Sequence, residues 1–210
     1  MANLRLSLFL TLLPLLCISG TAQPTSVKRS RSRSPSYIES SCRATRYPAL
    51  CLQYLSTLPN STIQNPHQLA QAALTVSLYR ARYTRSYMLK ITKQLRLTKA
   101  KEYQAVKDCL DQINDSVQQL GQSIRELRRL GSQEETAVDA VWRLSNVESW
   151  TSAALSDASF CLNEFPGRRM SKLKATIKGK VLNVAQATSN ALALFHRFAV
   201  RYRAAAKKLP

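Results

Sequence analysis

Residues 101–130 read KEYQAVKDCLDQINDSVQQLGQSIRELRRL, and this stretch decides the fold. Its apolar positions are Tyr103, Val106, Leu110, Ile113, Val117, Leu120, Ile124 and Leu127, spaced three or four apart throughout. That spacing puts one apolar stripe along an α-helix of period 3.6. Gly131 follows the last stripe residue, where a helix stop is expected. An isolated helix of this kind leaves its stripe in water, so it needs partners.

The partners are legible on either side. A stretch from about Pro66, a residue suited to the first helical position, to about Leu89 is also amphipathic. Residues 137–165 carry Val147, Trp150, Ala154, Ala158, Cys161 and Phe165 on one face, with Pro166-Gly167 as the stop. Residues 170–199 carry Leu173, Ile177, Val181, Val184, Thr188, Ala191, Phe195 and Phe198. Four such helices with short links predict an all-α, up-down-up-down four-helix bundle. Upstream, residues 37–58 read as two short helices turning at Arg46-Tyr47-Pro48, because the residue before a proline avoids the α region. The apolar fraction of 45% permits a core, and only 5 glycines argue against a turn-rich β fold or a Gly-rich phosphate loop.

The N-terminus predicts a route. Arg5 is followed by an apolar run from Leu6 to Ile18, and Gly20-Thr21-Ala22 offers small residues for cleavage. This is the pattern of a signal peptide over 1–22, and the run is too short to span a bilayer. Cleavage removes Arg5 and no acid, so the formal charge falls from +19 to +18. Cys17 leaves too, so that Cys42, Cys51, Cys109 and Cys161 remain. An even count in a secreted chain points to two disulfides, with three pairings open. A Cys42–Cys51 bridge would staple the short hairpin, and a Cys109–Cys161 bridge would lock two long helices together. Residues 23–36 are rich in Ser, Arg and Pro and read as a disordered basic linker. Residues 37–201 form the bundle domain and 202–210 a basic C-terminal tail.

No catalytic set stands out. His67 and His196 are the only histidines, far apart in sequence and outside any ligand-spaced cluster, so neither a metal site nor a cofactor is expected. No G-x-S-x-G nucleophile motif occurs. Asp108, Asp111 and Asp115 are carboxylates at helical spacing, which suit a solvated face or a protein contact. The chain is therefore read as a binding protein and not an enzyme, with no membrane or nucleic-acid partner. Two sequons occur; Asn60, in a polar linker, is the expected glycosylation site, whereas Asn114 lies within a helix and is not. Tyr79, Tyr83 and Tyr87 recur every four residues among Arg80, Arg82 and Arg85, and are expected to face the core with the arginines solvated.

Several stretches resemble the plant invertase and pectin methylesterase inhibitor family. They are Tyr37-Ile38 and Cys42-Arg43-Ala44-Thr45-Arg46-Tyr47-Pro48 to Cys51; Asp108-Cys109-Leu110-Asp111 with Asn114-Asp115-Ser116; Ser145 to Asp157, reading SNVESWTSAALSD, with Cys161-Leu162-Asn163; and Thr188-Ser189-Asn190-Ala191-Leu192-Ala193-Leu194. The resemblance covers about residues 37–199. It implies cysteine pairing in order, Cys42–Cys51 and Cys109–Cys161, and function by capping a carbohydrate-active enzyme of the cell wall.

Invertase inhibitors of the family carry a Pro-Lys-Phe motif after the second bundle helix; here that linker reads GSQEETAVDAV. The W-x-S-A-A-L-x-D core of the third bundle helix is similar to the pectin methylesterase branch. The resemblance thus implies a secreted, apoplastic inhibitor that occludes the pectin groove of pectin methylesterase without covalent chemistry. The enzyme-binding positions it implies are Asp111 and Asp115, Gln118 where a third acid is usual, Phe160 where a Thr is common, and Asn163 where an acid is common. Phe160 offers an apolar anchor in place of a hydrogen bond. Inhibition of cell-wall or vacuolar invertase is the alternative. A third reading is a basic wall protein held by anionic pectin, a partner that the charge itself favours.

Overall fold

A computed structural model describes residues 36–58, 63–131, 135–165 and 171–206. The expected signal peptide, most of the basic linker, Asn60, Pro166-Gly167 and the last four residues lie outside them. Six helices follow in order: α1 (Tyr37–Cys42), α2 (Pro48–Leu55), α3 (Pro66–Leu97), α4 (Tyr103–Arg129), α5 (Ala137–Asn163) and α6 (Lys172–Ala206). None of them is long and apolar enough to cross a membrane.

The helix starts obey local chemistry. Pro48 and Pro66 take first-turn positions, where a missing N–H costs nothing. Asn65 caps α3 by accepting from Gln68 N at 2.9 Å. Thr136 and Asp139 form a reciprocal capping box at the start of α5. Gly131 (φ 86°) provides the left-handed residue after α4.

The four long helices close a ring in which α3 packs on α4 and α6, and α5 packs on α4 and α6. Each neighbouring pair runs antiparallel. His67 near the start of α3 meets the end of α4, with Nε2 donating to the Leu127 carbonyl at 3.0 Å. His67 also stacks at 5.2 Å on Phe198 near the end of α6. The α4 stripe is buried from Val106 to Leu127, as predicted, with Tyr103 packed at its edge. Phe165, Phe195, Leu74, Met88, Ile113, Leu120, Leu144 and Ile177 fill the centre. The α1–α2 hairpin lies over α3 and α6. Its turn is held by the buried Asn190 of α6, which accepts from Tyr47 N at 3.0 Å and donates to Tyr47 O at 2.9 Å.

Three expectations change. Helix α3 runs to Leu97 and not to about Leu89, because Ile91 and Leu95 keep contact with the core through a polar stretch. Helix α6 extends to Ala206, so the start of the basic tail is helical. Tyr79 and Tyr83 face solvent, at 63% and 54% exposure, and Tyr87 is half-buried. The buried face of α3 is instead Ala70, Ala73, Leu74, Ser77, Ala81, Thr84 and Met88. Ala81 lies about 200° around the helix from Tyr79. Small residues let α3 approach its neighbours closely, and the phenol hydroxyls stay wet.

Candidate functional site

The sequence-predicted positions converge on the α4/α5 side of the bundle. Its floor consists of small buried residues: Ser116 and Ser123 on α4, with Thr151, Ala154 and Ala158 on α5. Ser116 Oγ donates across to the Ala154 carbonyl at 3.0 Å. Thr151 donates to the Val147 carbonyl at 2.7 Å, and its oxygen lies 3.1 Å from Ser123 Oγ. Cys109 and Cys161 are disulfide-bonded, fully buried, with Cα atoms 4.4 Å apart. Cys42 and Cys51 form the second bridge. Toward the other end, Arg143 reaches Glu126 and Glu135 at 2.8 Å each, the latter off the hydrogen-bonding direction. The two helices are thus tied at both ends and in the middle, and their outer surface is one rigid plate.

Helical geometry places the predicted residues on that plate. Cys161 points at α4; Phe160 lies about 100° round α5 from it and Asn163 about 200° round. On α4, Gln118 and Asp111 lie about 180° and 200° from Cys109, while Asp115 lies nearer the groove, about 120° the other way. Asp115 and Phe160 therefore flank the α4/α5 groove. Asp111 and Gln118 occupy the outer flank of α4, and Asn163 the outer flank of α5. All five are exposed. Asp111 pairs with Lys107 at 3.0 Å, an exposed i,i+4 contact of little energetic weight. Asp115 makes no ion pair among the described residues.

Two residues of this side were given no site role in the sequence reading. Asp157 is one turn before Cys161 and so shares its side of α5. Burial pushes its carboxyl above the usual range, the charge of Asp115 adds to that, and the Gln119 side chain opposes it. Asp157 Oδ2 and Gln119 Oε1 are both buried without a hydrogen-bond partner. The i,i+4 relation to Cys161 was the available signal. The other is Trp142, 69% exposed, against 60% for Phe160. The two stand five full turns apart, so they share one line along α5 at a separation of about 27 Å. With Asp108, Asp111 and Asp115 on α4, Asp157 brings four of the chain's 12 acids to this side, in a protein of net charge +19. Among the described residues the plate holds no nucleophile–base pair; its chemistry is recognition, with carboxylates grouped around Phe160 at one end and Trp142 exposed toward the other.

Comparison with known proteins bears on the family and the fold. The family model for plant invertase/pectin methylesterase inhibitors matches residues 36–194. Pectinesterase inhibitor 9 of Arabidopsis thaliana is 42% identical over 199 residues, spanning 94% of this chain and 96% of its own. Pectinesterase inhibitor 11 of the same plant is 36% identical over 198 residues, spanning 93% and 96%. A 21 kDa protein of Daucus carota is 39% identical over 168 residues, 80% of this chain and 86% of its own. The crystal structure of a mutant form of an Arabidopsis pectin methylesterase inhibitor matches at a TM-score of 0.59. It has 19% identity and covers 77% of this chain and 96% of its own, which is a likeness of fold.

Proposed function

The chain belongs to the plant invertase/pectin methylesterase inhibitor family, and we propose that it is a secreted inhibitor of pectin methylesterase that docks through the α4/α5 plate. The observation that carries the docking face is the carboxylate strip. Asp108, Asp111, Asp115 and Asp157 gather on one side of an otherwise strongly basic molecule, over two helices fixed by a buried disulfide. Preorganisation limits the ordering cost of association. Asp115 and Phe160 form the centre of the contact, Asp111 and Gln118 its α4 margin, and Asn163 its α5 margin. The enzyme presents cations to the strip and an apolar pocket to Phe160, and the plate covers the groove that receives pectin. No covalent step is involved, and the bundle does no chemistry of its own. The working site is the apoplast, reached by the secretory leader.

The test is titration of the secreted protein into pectin methylesterase and acid invertase assays in parallel, near pH 6 in 0.15 M salt. Saturable, stoichiometric loss of methylesterase activity alone is the expected result. A charge-assisted contact contributes about 1.5–3 kcal/mol. An Asp111→Asn/Asp115→Asn double variant should therefore weaken inhibition about a hundredfold or more. Unchanged inhibition by that variant overturns the docking face, and loss of invertase activity alone overturns the choice of enzyme.

A further inference from the structure

The opposite side of the ring has the reverse electrostatics. Helices α2, α3 and α6 contain no Asp or Glu. Six of the 32 residues of α3 and seven of the 35 of α6 are Lys or Arg. Along the α3/α6 line two of these cations, Arg80 and Lys180, are parked on aromatic rings and not on carboxylates. The Arg80 guanidinium lies 4.2 Å from the Tyr54 ring centre and 5.8 Å from that of Tyr79. Lys180 Nζ lies 4.6 Å from the ring of Tyr83 and 4.7 Å from that of Tyr87. Neither cation has an anionic partner among the described residues, and Arg80 Nε is buried without a hydrogen-bond acceptor. Tyr54, Tyr79 and Arg80 also line an open groove of about 620 Å³ between α2 and α3, together with the amides of Gln53, Gln68 and Gln71.

We propose that this α2/α3/α6 face is a binding site for an acidic polysaccharide of the polyuronate class. Such a chain carries, residue after residue, a carboxylate, a set of hydroxyls and a flat C–H face. The face supplies a partner for each. Arg80 and Lys180 are held in place but not neutralised, and take the carboxylates. The glutamine amides take hydroxyls. The exposed rings of Tyr79 and Tyr83, one helical turn or about 6 Å apart, take the sugar faces. Single-stranded nucleic acid also uses cations with aromatic platforms, but the three glutamines that line the groove beside its apolar residues suit a hydroxyl-rich ligand better. The site stands apart from the inhibitor reading: it lies across the bundle from α4/α5, so polymer and enzyme can be held at once.

The experiment is calorimetric titration of the secreted protein at 0.15 M salt with polygalacturonate oligomers, their full methyl esters and an oligodeoxynucleotide of equal charge. Three variants are compared, each checked for native circular dichroism. Tyr79→Ser/Tyr83→Ser leaves the charge unchanged. Arg80→Gln/Lys180→Gln and Arg128→Gln/Arg129→Gln each remove two charges, the latter at the far end of α4. The expected result is acid-form binding only, with about tenfold loss in each of the first two variants, less than twofold in the third, and methylesterase inhibition unchanged in the first two. An unaffected tyrosine variant, an equal loss in the α4 variant, or equal affinity for the oligonucleotide overturns the proposal. Because inhibition is read on the same samples, failure here is distinguishable from failure of the docking face.

Discussion

The two disulfides close loops of very different length, and that difference is measurable. Cys109 and Cys161 are 52 residues apart, Cys42 and Cys51 only nine. The chain-entropy relation assigns about 4 kcal/mol to the longer loop and about 2.5 kcal/mol to the shorter. All four cysteines are buried, Cys109 and Cys161 completely and the other pair nearly so. Deleting the sulfurs therefore leaves similar voids in both places, and the void contributions largely cancel in the comparison. Cys109→Ala/Cys161→Ala should be less stable than Cys42→Ala/Cys51→Ala by about 1.5 kcal/mol. For a domain of this size that is a melting-point gap of about 3–6 °C. The assay is urea unfolding of both double variants, followed by circular dichroism at 222 nm, with a scanning-calorimetry check of the melting points. Equal midpoints, or a lower midpoint for the hairpin variant, would refute the reasoning. The hairpin bridge would then act through native contacts with α3 and α6, and not through the unfolded chain.

Three further predictions concern single side chains. Asn190→Ala removes both hydrogen bonds to Tyr47 and leaves that turn's N–H and carbonyl without partners; a loss of about 2–4 kcal/mol in urea unfolding is expected. Lys99 closes α3 with φ 50°, a conformation that costs a side-chain-bearing residue about 1 kcal/mol or more, so Lys99→Gly should raise stability by about that amount, read from the same transition. Asp157 has its carboxyl raised above 3.8 in the folded state, so between 3.8 and its raised folded value the native state binds the extra proton. Native stability therefore falls as pH rises through that window and stays lower above it. Asp157→Asn should melt higher than the parent at pH 7, with the gap closing by pH 3; a pH-independent gap would show that ionisation of Asp157 is not the cause.

The bundle was written in the stripes. From Val106 to Leu127, and from Ile177 to Phe198, the three- and four-residue spacing names the buried positions, and both are buried in the structure. Pro48, Pro66 and Gly131 mark boundaries through backbone constraints that act locally, so they too are legible without a fold. The same reasoning stops short at α3. Two stripes compete on that helix, a tyrosine row and a row of small residues, and periodicity alone does not rank them. Close approach to α4 and α6 favoured the small row and put Tyr79 and Tyr83 outside. Asn190 holds a partner 143 residues away, and Asp157 is perturbed first by burial and then by Asp115 across a helix interface. Neither relation has a local signature. Sequence by itself thus determined which residues form helices and which angular sector of most helices is apolar, because those follow from backbone geometry within a few turns. Only the tertiary structure decided which neighbour each sector meets. It alone separates the centre of the α4/α5 plate from its margins, and sets four acids of that plate across the ring from the acid-free helices α2, α3 and α6. Those outcomes depend on distances between segments far apart in the chain, which the period of a single helix does not encode.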